Sequence, residues 1–209
     1  MAAILTISGA HGVGKSTLCE LLAARTGFAA SPERHPNPFP EDTYNGLLYF
    51  IASYSHRDSL IRANPRNWIL DRWSYRDIAV YIDGLYALNR LSSSQQRTLK
   101  IVKREVLYNT LEPTIAVMLL DSTPAVMERL IKRGGKAGHL FEFDRDLMSV
   151  LNQMFREEFQ DARHSGWEPA RATIQPQIRI VDVCGRPVNE VAAEVISCTR
   201  VSVGVAIGC

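Results

Sequence analysis

The segment Gly9-Ala10-His11-Gly12-Val13-Gly14-Lys15-Ser16 constrains this chain more than any other. It fits the spacing G-x-x-x-x-G-K-[ST] of a phosphate-binding loop. The apolar run at residues 3–7 before it reads as a short buried strand. Residues 17–25 after it read as a helix with Leu18, Leu21 and Leu22 on one face. The glycines let the backbone curl, so successive N–H groups point inward at phosphate oxygens. The following helix turns its positive N-terminal end toward the same oxygens. Gly9, His11, Gly12, Val13, Gly14, Lys15, Ser16 and Thr17 are thus the expected nucleotide-binding residues. Lys15 is expected on the β and γ phosphates and the Ser16 hydroxyl on Mg²⁺. A donor of ATP type with Mg²⁺ follows.

The loop sits in a repeating frame. Short apolar runs at residues 3–7, 28–30, 68–70, 115–120 and 178–183 alternate with helical stretches at 43–62, 75–88, 94–111, 124–133, 144–162 and 188–198. Thr123 stands as the expected N-cap of the helix beginning at Pro124. Strand–helix alternation implies parallel strands joined by crossovers. The expected fold is α/β, a P-loop NTPase fold with a five-stranded parallel sheet flanked by helices. One domain is expected over residues 1–200, since 209 residues with 46% hydrophobic content suffice for one core. Residues 201–209 form an apolar, uncharged tail, read as an extra edge strand or a packed segment.

The net charge of +2 suggests no broad nucleic-acid-binding face. Cys19, Cys184, Cys198 and Cys209 form no C-x-x-C pair, which favours a reduced, cytoplasmic protein. Cys19 is expected to be a small core residue. No apolar run approaches membrane-spanning length, and the N-terminus lacks the pattern of a signal peptide. The oligomeric state stays open, a homodimer among the options. The five histidines share no metal-ligand spacing, and His11 reads as exposed. The aromatic series Tyr44, Tyr49, Phe50, Tyr54 reads mainly as core, with one or two rings able to stack on a base.

In an open parallel sheet, ligands collect at the C-terminal strand ends. Four features follow strands: the phosphate loop, Glu33, Asp71-Arg72 and Asp121. Glu33 could accept a proton from an acceptor hydroxyl. Asp71 could hold Mg²⁺ or the acceptor hydroxyl, and Arg72 could bridge donor and acceptor phosphates. Arg129 and Arg133 share a helix face before the Gly134–His139 run, whose composition suits a mobile lid over about 134–143. Arginines suit the charge spread over a moving phosphoryl group. Asp121 reads as a helix-entry residue.

These segments resemble the deoxynucleoside kinases and the related thymidylate kinases. Glu33-Arg-His-Pro-Asn-Pro-Phe39 is similar to the segment in which a catalytic glutamate precedes an Asn-Pro-aromatic turn. Asp71-Arg-Trp-Ser-Tyr-Arg-Asp77 is similar to D-R-x-x-Y-x-D, and Arg129-Leu-Ile-Lys-Arg133-Gly134 to the R-x-x-x-R-G start of a lid. The resemblance implies Glu33 as general base, with Arg72, Arg129 and Arg133 on phosphates. It places Glu142 near the sugar or the closing lid, and Arg57 on the substrate. It implies transfer from ATP to a deoxynucleoside, with thymidylate as the alternative acceptor. The glutamine that reads the base in nucleoside kinases is missing from residues 42–63, and E-P-G-G of the thymidylate kinases is missing after the second strand. A switch or NTPase that phosphorylates nothing would need a nucleotide-specificity motif such as N-K-x-D, which this chain lacks.

Overall fold

The computed structural model describes residues 2–33, 42–107, 111–132, 144–164 and 176–203. Five strands form one parallel sheet: β1 (Ile4–Ser8), β2 (Ala29–Ser31), β3 (Trp68–Asp71), β4 (Ile115–Leu120) and β5 (Gln177–Asp182), in the order β2-β3-β1-β4-β5. Helices connect them: α1 (Lys15–Thr26), α2 (Thr43–Arg62), α3 (Ser74–Ala87), α4 (Ser93–Leu107), α5 (Thr123–Lys132), α6 (Arg145–His164) and α7 (Val188–Val203). The chain leaves β1 for β2 at one edge and returns through β3. It then crosses β1 to β4 and β5. The order therefore reverses beside β1, and the crevice above that point takes the phosphate loop.

Both faces of the sheet are covered, which is why the strands read as continuous apolar runs. In β4, Ile115, Val117 and Leu119 pack with α1 and α7 side chains such as Leu18, Leu22 and Val195. Ala116, Met118 and Leu120 point to the other layer, with Ile51, Ile82, Leu99 and Phe155 from α2, α3, α4 and α6. β1 follows the same alternation: Leu5 and Ile7 join the α1/α7 layer. Thr6 and Ser8 are buried opposite.

Three expectations need correction. Ser122, not Thr123, caps α5: its Oγ accepts from Ala125 N–H at 3.3 Å, so Pro124 falls one position later. α4 is described through Leu107, residues 108–110 lie outside the described residues, and Leu111, expected to be helical, is not. The last helix, expected to end at 198, continues through Val203, and residues 204–209 of the tail lie outside the described residues. Val201 and Val203 are β-branched and suggested strand, but helix propensity is a weak prior once a helix is already propagating. No helix among the described residues is long and apolar enough to cross a membrane.

Candidate active site

The loop between β1 and α1 owes its shape to two close approaches. Gly9 has φ +139°, and a Cβ there would lie 2.6 Å from the Leu119 carbonyl oxygen. Gly12 has φ +73°, and a Cβ there would lie 2.8 Å from Leu130 Cγ of α5. No side chain larger than hydrogen fits either position without displacing its neighbour. Lys15, the first residue of α1, curls back so that Nζ donates to the Ala10 carbonyl at 2.8 Å. Burial, and next the nearby Arg72 guanidinium, lower its pKa to about 8, against the pull of Asp71, Glu33 and Asp77. Here a cation occupies the mouth of a cradle built from backbone donors. An anion of phosphate chemistry complements both.

Asp71 ends β3, and its Oδ2 accepts from Ser16 Oγ at 2.6 Å. Its other oxygen, Oδ1, is buried and has no hydrogen-bond partner among the described residues. A buried carboxylate oxygen without a partner is costly unless something else meets it. Ser16 and Asp71 together therefore fit a hard cation such as Mg²⁺, which takes one or two protein oxygens and leaves the rest to water and phosphate. The described residues hold no cluster of three or more His, Cys, Asp or Glu that would form an all-protein cage.

Arg72 follows in an unusual conformation. Its φ is +83°, the left-handed region that non-glycine residues rarely enter. This turn sends the side chain back under the loop. There Nη1 donates to the Gly9 carbonyl at 3.1 Å and Nη2 to Tyr81 Oη at 3.0 Å. Asp77 lies 3.4 Å from Nη1, and Glu33 Oε1 lies 2.5 Å from Nε. Glu33 also accepts from Tyr54 Oη at 2.5 Å. Burial pushes the Glu33 carboxyl up, but Arg72, Lys15, His11 and the Tyr54 hydroxyl together bring it down to about 2. Asp77 moves the other way. Burial raises it to about 6, although Ser8 Oγ donates to it at 2.7 Å. Two carboxylates close to one guanidinium are thus pushed in opposite directions: both are largely ionised at neutral pH, and below about pH 6 Asp77 takes up a proton while Glu33 stays charged.

The structure brings together Lys15, Ser16, Glu33, Asp71 and Arg72, as the strand-end argument expects. Asp71 and Arg72 are each 1% exposed, so they are no surface ion pair. Arg129 of α5 reaches the outer side of the loop, donating to the Gly12 carbonyl at 3.1 Å and pairing with Asp121. Asp121 also accepts from Ser122 N–H, consistent with helix entry. Arg57 departs from the expectation of substrate contact. It is 5% exposed and directed at the backbone beneath β3. A guanidinium in the interior finds carbonyls and hydroxyls before it finds solvent or ligand. His11 is half-buried, not exposed, because Tyr81 of α3 meets its ring edge-on at 5.4 Å. Cys19 is buried, and burial raises its thiol pKa, as befits a core residue. Arg133, Glu142, the 134–143 lid and the 34–39 segment lie outside the described residues.

Sequence reasoning passed over Tyr54, Tyr81, Asp77 as a site carboxylate, and Arg186. Asp77 was in plain view in the D-R-x-x-Y-x-D segment, in the first turn of α3. Tyr54 was counted as core, and it is buried, but a buried phenol still needs an acceptor and finds Glu33. Arg186, in the β5–α7 connection, had no signal in the sequence. With Val13, Thr17, Arg129, Val183 and Val188 it lines a cavity of about 170 Å³ beside the loop. Its lining is apolar apart from Gly14, Thr17 and the two arginines, a mix suited to a flat aromatic ring.

Loop and sheet order are those of a P-loop nucleotide-binding fold. No family model matches the chain. A deoxyadenosine/deoxycytidine kinase of Bacillus subtilis (strain 168) is 33% identical over 87 residues, which span 37% of this chain and 40% of that enzyme. Among solved structures, a deoxyadenosine kinase of M. mycoides with dCMP and a flexible dCDP bound superposes with a TM-score of 0.74 at 18% identity, covering 95% of this chain and 99% of that one. The same enzyme with bound dATP gives 0.74 at 20%, covering 94% and 99%. A thymidylate kinase from Candida albicans gives 0.67 at 18%, covering 96% and 92%. The chain has the fold of the deoxynucleoside kinase and thymidylate kinase family of P-loop kinases, and its distant sequence match falls in that family.

Proposed function

We propose that this protein transfers the γ-phosphoryl group of ATP to the 5′-hydroxyl of a deoxynucleoside, giving the 5′-monophosphate. The backbone of the Gly9–Gly14 loop and Lys15 hold the donor's phosphates. The donor base enters the cavity between Arg129 and Arg186. Ser16 and Asp71 would hold Mg²⁺, which would neutralise charge on the donor's phosphates. Glu33 faces the acceptor hydroxyl and takes its proton. While Arg72 lies on Glu33 the carboxylate is a weak base. When Arg72 exchanges Glu33 for the transferring phosphoryl group, the carboxylate gains proton affinity as the hydroxyl needs it.

One observation carries the choice of acceptor. A monophosphate brings about two further negative charges and needs a cation beyond those serving the donor. Among the described residues the two spare candidates are both committed elsewhere. Arg57 donates to the Asp71 and Arg72 carbonyls, and Arg76 pairs with Glu158 while lying 5.8 Å over the Trp73 ring. The acceptor side offers instead a carboxylate, Glu33, and aromatic rings. The test is a side-by-side assay of thymidine and thymidylate, then of the other nucleosides and their monophosphates, with ATP and Mg²⁺. A higher kcat/KM for the deoxynucleoside of each pair is expected. Preference for the monophosphate assigns the chain to thymidylate kinase chemistry. ATP hydrolysis that no acceptor redirects assigns it to the non-kinase NTPases.

A further inference from the structure

We propose that Arg57 is a positioning residue, which fixes the left-handed turn at Arg72 and through it the pairing of Arg72 with Glu33. Three contacts from one guanidinium carry the argument. Nη1 donates to the Asp71 carbonyl at 2.8 Å. Nη2 donates to the Arg72 carbonyl at 3.0 Å and to Ser74 Oγ at 2.7 Å. The two carbonyls belong to the peptides flanking the residue with φ +83°. That conformation is disfavoured for a side-chain-bearing residue and persists only where its surroundings hold it. Arg57 supplies that hold from below, and the Ile7 carbonyl accepts from Arg72 N–H at 2.9 Å from the side of β1.

The brace is itself anchored. Asp58 accepts from Arg57 Nε at 3.2 Å, from Ser74 Oγ, and from Leu111 N–H at 3.2 Å. Both α2 residues are buried, at 5% and 2% exposure. Arg57 also stacks over the Tyr54 ring at 4.8 Å, one turn earlier on the same helix face, and Tyr54 Oη donates to Glu33. Thus one side chain steadies both partners of the Arg72–Glu33 contact without touching the reacting atoms. Lysine in its place keeps a charge for Asp58 but offers a single nitrogen, which cannot span two carbonyls and a hydroxyl in the plane a guanidinium provides.

The role rests on the kinase reading for its catalytic consequence, but not for its structural one. Two measurements separate them, made on Arg57→Lys, with Arg57→Met as a second variant. Lysine holds the charge beside Asp58 and carries the test if methionine fails to fold. The first measurement is the titration of the Glu33 carboxyl by ¹³C NMR in the ligand-free protein, which needs no substrate. Glu33 is faced by Arg72, by Lys15 and His11 of the loop, by Tyr54 of α2, and more distantly by Asp77 and Tyr81 of α3. Loosening Arg72 removes the largest of the attractions, so the Glu33 titration is expected to rise by about one pH unit or more in Arg57→Lys. The second is steady-state kinetics: kcat is expected to fall by about tenfold or more while KM for ATP stays within about twofold. An unchanged Glu33 titration overturns the proposal. So does a kinetic loss confined to KM for the acceptor, which would make Arg57 a direct substrate contact. If the wild type phosphorylates no acceptor, the kinase reading fails and the titration alone still decides whether Arg57 sets the Arg72–Glu33 pair.

Discussion

At the scale of single residues, the site is a set of titrating groups held away from their ordinary values by burial and by one another. Glu33 is ionised in the ligand-free protein at every pH above about 2. Its replacement by glutamine keeps the shape and the Tyr54 hydrogen bond but removes the base. Glu33→Gln is expected to cut kcat by roughly 10²–10⁴-fold with little change in KM for ATP. A loss below about tenfold would remove Glu33 from the chemical step. Asp77 gives a stability signature of opposite origin. Its pKa rises from 3.8 to about 6 on folding. Between about pH 4 and pH 6 the folded protein keeps a proton that the unfolded chain has released, so this group's contribution to stability falls as pH rises through that window. Asparagine has no proton to lose there. The stability of Asp77→Asn relative to wild type is therefore expected to improve by about 2 kcal/mol between pH 4 and pH 7, read from urea unfolding at each pH. A difference that stays flat with pH would mean that Asp77 is ionised normally.

At the scale of elements, the site depends on helices meeting at set distances behind it. α3 carries Asp77 and Tyr81, and α6 backs Tyr81 with Phe155 at a ring separation of 6.0 Å. The two helices approach closely at Gly84, where a Cβ would lie 3.0 Å from Leu151 Cδ2 and 3.5 Å from Met154 Sδ. Alanine there has only the mobile end of Leu151 to displace, and its better helix propensity offsets part of the cost. Valine adds two branches and has nowhere to put them. Gly84→Val is expected to lower stability by about 1–3 kcal/mol, measured as a shift of the urea midpoint at constant slope. Activity should fall as well, because separation of α3 from α6 moves Tyr81 off Arg72. Full activity together with the stability loss would show that the α3 side chains do not need α6 behind them.

For the molecule as a whole, binding is linked to stability. A donor that binds only the folded protein raises its stability by about 2.7 kcal/mol at a concentration of one hundred times Kd. ATP with Mg²⁺ is expected to raise Tm by several degrees, ATP with a chelator by less. In Asp71→Asn the two conditions should converge, since the orphaned carboxylate oxygen that fits the ion is gone. A magnesium-dependent shift that survives in Asp71→Asn would move the ion to other ligands. Two layers packed on one sheet make such linkage global: the loop contacts β4 through Leu119 and α5 through Leu130, so ordering it draws on both ends of the fold.

The local sequence settled what local physics controls. Glycine spacing and a following Lys-Ser set the phosphate loop, because only glycine tolerates the close approaches to Leu119 and Leu130. Apolar runs of strand length between helical repeats set a parallel sheet, because a sheet covered on both faces has no polar side to show. Strand ends then pointed to Glu33, Asp71 and Arg72. What the sequence did not determine is where long polar side chains end, since that depends on contacts between residues far apart in the chain. Arg57 read as a substrate contact and is instead buried against the carbonyls of residues 71 and 72, fourteen and fifteen positions away. Tyr54 read as core and is core, yet its hydroxyl meets Glu33 across twenty-one positions. Arg186 lay in an unremarked loop until the sheet order set β5 beside β4 and brought it to the cavity with Val13 and Arg129. A guanidinium or a phenol has several torsions and several partners to choose from, and only the packed fold leaves it one.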